Sequence, residues 1–196
     1  MCSQRDRKHE FASSHLVNYL LYQVGWFACV AGVAFGFSYL GTLIAVVLLG
    51  LHLYMAGDRK TQVMLMITAV SVGLVVDLIL INVGALSFPI GGVAGWMPPF
   101  FMSVLWMQFA STFRYCLGWL SHRYLLSSLL GAVGAPLAFA AGERLGVVEF
   151  LQPRLIHFAF LATLWAVAIP LLVGASDQFS TRLKGQAIYR LPFGMK

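Results

Sequence analysis

Six stretches of this chain are apolar enough to cross hydrocarbon, and nearly all are long enough. A bilayer core about 30 Å thick takes roughly 20 apolar residues at 1.5 Å rise each. The predicted spans cover residues 16–36, 39–56, 62–83, 98–120, 124–142 and 154–175. The second is the shortest, and only Phe37 and Ser38 separate it from the first, so these two form a tight helical hairpin. The composition agrees: 60% of residues are hydrophobic, 10% are charged, and the mean hydropathy is +0.82. A soluble domain carries about 25% charged residues, so this chain belongs to another class. Disorder, coiled coil, collagen-like fibre and disulfide-stapled secreted domain are all excluded. The expected fold is all-α, a polytopic transmembrane bundle of six helices over residues 1–176, followed by a short basic tail, 177–196.

Orientation follows from the cations. With the N-terminus in the cytoplasm, ten of the thirteen Lys and Arg lie on that side, among them Arg59, Lys60, Arg123 and Lys196. Arg144 and Arg154 lie outside, accompanied by Glu143 and Glu149, and Arg114 lies within the fourth span. Such a positive-inside bias sets both termini in the cytoplasm. The net charge of +6 is then a match for anionic lipid headgroups rather than for nucleic acid. The first span has a basic flank, yet its apolar stretch is too long for a cleaved signal peptide and contains Gln23 and Trp26, so it is expected to stay as a helix. Cys2, Cys29 and Cys116 show no paired spacing, and no disulfide or cysteine-based zinc site is expected.

The outer loop 84–97 carries no charge, and its glycines and Pro89 deny it regular structure, so a re-entrant or interfacial segment is expected. Small residues recur every four positions as Gly134, Ala138, Gly142 and Gly146, and as Ala28, Gly32 and Gly36. Stripes of this kind ordinarily let helix backbones approach one another. They also leave a homo-oligomer or a membrane partner open.

Polar residues inside the spans carry the functional argument, because each must be satisfied at a cost in hydrocarbon. Gln23, His52, Asp77, Gln108 and Arg114 are the candidates for a polar cavity. Asp77 is the sharpest. Its functional reading is a proton- or cation-handling carboxylate, with Gln108 or Asn82 as hydrogen-bond neighbour; its bland reading is a packing residue. Arg114 lies near the cytoplasmic end of its span and is able to snorkel to the headgroups. His52, at similar depth, shares a cytoplasmic-side pocket with Arg114 and Gln23 on the functional reading. No HxxxH, HExxH, GxSxG, Walker A or GxGxxG occurs, so di-iron, zinc-protease, hydrolase and nucleotide-driven chemistry fall away, and no metal or cofactor is expected.

Residues Asn18-Tyr19 through Tyr22-Gln23-Val24-Gly25-Trp26-Phe27, then Leu105-Trp106 through Phe109-Ala110 to Trp119-Leu120, then Gly131-Ala132 and Pro136-Leu137-Ala138-Phe139, make this chain resemble the bacterial membrane family DUF2878. The chain departs from the family pattern at Arg114-Tyr115, where Asn-His stands in relatives. The resemblance implies a Gram-negative inner-membrane location and lipid-related work, with no activity, substrate or cofactor attached. The leading expectation is a non-enzymatic membrane protein linked to lipid composition. The alternatives are a small proton-coupled carrier using Asp77 and an intramembrane lipid-modifying enzyme with Gln23, His52 and Arg114 in its pocket.

Overall fold

The computed structural model describes residues 15–90 and 95–189, the last of these, 182–189, by backbone alone. Six α-helices occur among the described residues: α1 (His15–Ala34), α2 (Ser38–Met55), α3 (Arg59–Asn82), α4 (Phe100–Ala110), α5 (Tyr124–Arg144) and α6 (Arg154–Tyr189). All but α4 are long and apolar enough to cross a membrane, so the protein is a multi-pass membrane protein. The basic residues Arg5, Arg7 and Lys8, the end of the tail, and Gly91 and Gly92 of the outer loop lie outside the described residues.

The hairpin between α1 and α2 is as tight as the sequence demands. Gly36 takes φ +80°, a left-handed conformation that glycine adopts without strain. Phe37 N–H then reaches back to Gly32 O (2.6 Å) and Gly36 N–H to Val33 O (3.2 Å), which closes the last turn of α1. The end of α5 is built the same way around Gly146 (φ +71°), with Val147 N–H on Gly142 O. Asp58 starts α3 by accepting the Thr61 N–H at 3.2 Å.

Three packing units follow: α1 against α2, α5 against α6, and α3 between them, touching both α4 and α6. The stripe of α1 does what such stripes ordinarily do. Gly41 of α2 sits against the backbone of Ala28 and Gly32, leaving no room for a Cβ. The stripe of α5 does not. Its close contact to α6 is made by Gly131 against the Trp165 backbone, whereas a Cβ on Gly134 would meet nothing within 4 Å. Packing was the sequence expectation for Gly134, Ala138 and Gly142; the observed helix rotation leaves Gly134 and Ala138 exposed, while Gly142 is buried beside Val148.

The fourth helix departs most from expectation. A helix over 98–120 was predicted; α4 ends at Ala110 and the chain continues as consecutive turns to a single 3₁₀ turn, Gly118–Leu120. Eleven residues rise only about 16 Å, half a bilayer core. The cause is local competition for carbonyls. Ser111 Oγ donates to Gln108 O and Thr112 Oγ1 to Phe109 O, both at 2.6 Å, replacing the partners a continuing helix would supply.

At the opposite end, Leu86–Ser87 pairs antiparallel with Glu149–Phe150 (β1 and β2), Leu86 facing Phe150. The start of the outer loop is thereby held against the bundle, with Ala85 and Leu86 buried.

Candidate functional site

Two features stand out, a polar clamp at the end of the bundle that holds the N-terminus of α1, and an apolar cavity beside it.

The clamp is centred on Asn18 of α1, which is buried. Its amide Nδ2 donates to Ser111 O (3.0 Å) and its Oδ1 accepts Cys116 N–H (3.3 Å), so one side chain satisfies both edges of the unwound stretch. Irregular backbone at membrane depth is tolerated only when protein satisfies it in this way. Asn18 Nδ2 also lies 3.4 Å from His52 Nδ1, and Gln62 Oε1 lies 3.5 Å from His52 Nε2, a set that suits a neutral imidazole with its proton on Nε2. The His52 ring stands edge-on to Tyr115, centroids 5.2 Å apart. Nearby, Arg114 Nη1 donates to Asp58 Oδ2 at 2.9 Å. Asp177 of α6 accepts from Ser121 Oγ (2.6 Å) and from His122 N–H (3.1 Å), which fastens the turn into α5. His122 in that turn has φ 59°.

Asn18→Ala strands a buried carbonyl and a buried N–H, and the expected loss is about 1–3 kcal/mol. Thermal unfolding in detergent should show it, together with faster alkylation of Cys116 as the unwound stretch loosens; an unchanged midpoint and labelling rate would remove the clamp from the picture.

Asp58 carries the pH dependence of this end. Burial pushes its carboxyl up, but the hydrogen bonds from Thr61 and Arg114 outweigh burial and hold it below the ordinary value of 3.8. A depressed carboxylate contributes stability above its ordinary value and loses it as pH falls through the lowered one. The side chain is 42% exposed, so screening limits the pair to about 1 kcal/mol. The stability gap between the wild type and Asp58→Asn should therefore be constant from neutral pH to about 5 and close only below about 4. A gap that closes between pH 7 and 6 would assign the effect to a histidine instead.

The five sequence candidates do not share one cavity. His52 and Arg114 both belong to the clamp end, Arg114 held by Asp58 and His52 by Asn18 and Gln62. Gln23 is half-buried on α1 and takes no part in that network. Gln108 is a wedge: it packs on Gly25 and donates to Ala45 O at 2.7 Å, tying α1, α2 and α4 together. Asp77 is 1% exposed, and its neighbour is neither Gln108 nor Asn82. Trp106 Nε1 donates to Asp77 Oδ2 at 3.0 Å, while Asn82 bonds within its own helix to Leu78 O. Trp106 rests on Gly73 and stacks on Trp165, centroids 4.5 Å apart and planes 21° off parallel. Asp77 Oδ1 and Trp165 Nε1 are buried without a hydrogen-bond partner.

The cavity has a volume of about 310 Å³ and lies between the α1 side and the α5–α6 pair, with α4 as its floor. Tyr22, Trp26 and Val30 line it from α1; Phe101, Leu105, Trp106 and Phe109 from α4; Gly134, Ala138, Phe139 and Gly142 from α5; Trp165 and Ile169 from α6. Leu117 and Leu120 close it at the clamp end, Phe88, Val147 and Val148 at the other. None of the five polar candidates lines it. A polar cavity was expected; Asp77, Gln108, His52 and Arg114 instead each bond to another protein group, Trp106, Ala45 O, Gln62 and Asp58 respectively, as hydrocarbon surroundings favour. Sequence reasoning left Asn18, Asp58, Trp106 and Trp165 out of the candidate set. One signal was available: both tryptophans fall in mid-span, away from the interface where Trp is favoured, so each indole needs a buried use.

Fold and cavity together define an α-helical membrane bundle with an apolar, aromatic-walled cavity that is open along α5, where Gly134 and Ala138 are exposed. A family model described as "Protein of unknown function (DUF2878)" matches residues 15–171, and the chain belongs to that family. No curated protein and no solved structure matches the chain significantly.

Proposed function

We propose that this protein holds a lipid hydrocarbon chain inside its bundle and thereby links its own state to membrane lipid composition, without catalysing a reaction. The cavity carries this reading. Its wall is hydrocarbon and indole, with Tyr22 providing the one hydroxyl among the lining residues. An apolar chamber of about 150 Å³ takes up benzene, so one twice that size accommodates on the order of a dozen carbons. In a bilayer the nearest matching ligand is an acyl chain. A proton carrier is less well supported, since Asp77 is buried against Trp106 and lies off the cavity wall.

The bundle sits in a bacterial inner membrane with both termini inside. The support is charge: Arg59, Lys60, Arg114 and Arg123 share the clamp end with Asp58 and Asp177, an excess of cations, while at the other end Arg144 and Arg154 are equalled in number by Glu143 and Glu149. A reporter fused after Lys196 should be active only in the cytoplasm, and periplasmic activity would reverse the assignment.

The lipid reading is tested by native mass spectrometry of protein extracted in mild detergent. The wild type should retain one phospholipid per chain. Gly134→Trp, which places a large ring in the open space beside α5, should fold with the same helical content and lose it. Equal retention by both would overturn the reading.

A further inference from the structure

The cavity opens sideways along α5, where Gly134 and Ala138 are exposed and Leu130 is 43% exposed. Helix α1 packs on α2 and α4, and α5 on α6, so the opening lies between two helix pairs with α4 as its floor. No charged side chain is among the lining residues, so an occupant meets this groove with hydrocarbon.

Charge enters at one end of the same helix face. Arg123 immediately precedes α5, Leu130 follows seven residues later, and Gly134 and Ala138 come at further steps of four. Such spacings put all four on one side of a helix. Arg123 is exposed and makes no ion pair among the described residues. The carboxylates of this end are engaged elsewhere. Asp58 accepts from Arg114 and Thr61, and Asp177 accepts from Ser121 Oγ, His122 N–H and, at 3.4 Å, Tyr124 Oη. Tyr124 is 45% exposed beside Arg123, at the depth where aromatic rings meet headgroups. The opposite end is less inviting to an anion: Arg154 is paired with Glu143, and Arg144 shares that surface with exposed Glu149.

We propose that Arg123 is the headgroup site for the lipid in this groove: an anionic phospholipid of the membrane lies along α5 with its phosphate on Arg123 and one chain across Gly134 and Ala138. The proposal rests on the lipid reading above and adds to it the class of lipid and the end of the bundle that holds its headgroup. A guanidinium donates to two phosphate oxygens at once, which favours Arg for this contact. From Arg123 to Leu130 is about 10 Å at helical rise, a distance that the glycerol and the first carbons of a chain cover at about 1.2 Å per bond. Entry is lateral, from the bilayer, and needs no opening at the Tyr22 end, which Leu117 and Leu120 close.

The test offers delipidated protein an equimolar mixture of phosphatidylglycerol and phosphatidylcholine with identical chains, and native mass spectrometry reads the ratio retained. The wild type should favour phosphatidylglycerol about fivefold, the equivalent of about 1 kcal/mol for one cation at an anionic surface. Arg123→Gln should bring the ratio close to one while still retaining lipid, and Arg123→Lys should keep most of the preference. Arg144→Gln, at the other end of α5, should leave the ratio unchanged. Gly134→Trp should lose both lipids. Circular dichroism and melting in detergent establish that each variant folds. A measurement on the wild type alone locates the same contact: phosphatidylglycerol with a photoreactive headgroup should label residues 122–124. Equal retention of the two lipids by the wild type, a preference that survives Arg123→Gln or vanishes in Arg144→Gln, or headgroup labelling near Arg144 and Arg154 would overturn the headgroup site while leaving chain binding intact. Failure of the wild type to retain either lipid would overturn both.

Discussion

Gly41→Leu should leave little folded protein. A Cβ at this position falls onto the carbonyl oxygen of Ala28, with Gly32 Cα 3.0 Å away on the same side. These are backbone atoms of a helix, held by their own hydrogen bonds, and cannot swing aside as the end of a side chain does. The hairpin allows no compensating shift, because only Phe35, Gly36 and Phe37 join α1 to α2. Overpacking a core typically costs about 1–3 kcal/mol when side chains can rearrange; separating two backbones exceeds that and breaks the α1–α2 pair. The expected readout is aggregation on size-exclusion chromatography, or a melting midpoint too low to measure. Gly134→Leu is the matched control, the same substitution in the same lipid environment, and should remain monodisperse. A Gly41→Leu protein as stable as that control would show that α1 and α2 do not meet as described.

Trp106→Ala is the second large effect. Trp106 is 2% exposed, and its indole does three things at once: it seats α4 on Gly73 of α3, stacks on Trp165 of α6, and supplies the hydrogen bond to Asp77. Removing a buried Trp side chain costs about 3–5 kcal/mol through lost contacts and the void left behind. The stranded carboxyl adds its own desolvation cost of about 1–3 kcal/mol, because Asp77 Oδ1 already lacks a partner. Trp106→Phe separates the two contributions: it keeps much of the packing and removes the N–H, so Trp106→Phe should recover part of the loss, and adding Asp77→Leu to it should recover more. Thermal unfolding of the four proteins in one detergent measures this. No recovery in the double variant would mean that the Trp106–Asp77 bond contributes nothing to the fold.

Most of the helix order was legible because hydrocarbon imposes it. Runs near 20 apolar residues have few other ways to satisfy their backbone, and the two-residue gap at Phe37-Ser38 dictated a hairpin that the structure contains. The early end of α4 was harder to see, because it depends on Asn18, ninety-three residues away in sequence from the Ser111 carbonyl it holds. The hydroxyls of Ser111 and Thr112 were the local hint. Buried polar residues announced their cost but not their partners: Gln108 turned to a carbonyl on α2 and Asp77 to an indole. The cavity was hidden for a geometric reason. Gly131 and Gly134 are three positions apart on one helix, yet one is pressed against the Trp165 backbone and the other faces open space. A four-residue spacing of small side chains records that something can approach closely. Whether that is a second helix or a ligand depends on helix rotation, which only the assembled bundle fixes.

Occupancy of the cavity is tested most directly by photochemistry in a bilayer. Phosphatidylglycerol with a diazirine near the methyl end of one chain is reconstituted with the wild-type protein in vesicles, irradiated, and the adducts are mapped by peptide mass spectrometry. The expected result is labelling of cavity-lining residues such as Phe101, Phe109, Phe139 and Val148. Labelling confined to bilayer-facing positions such as Leu125, Leu129 and Leu155 would contradict it, leaving the chamber without a lipid.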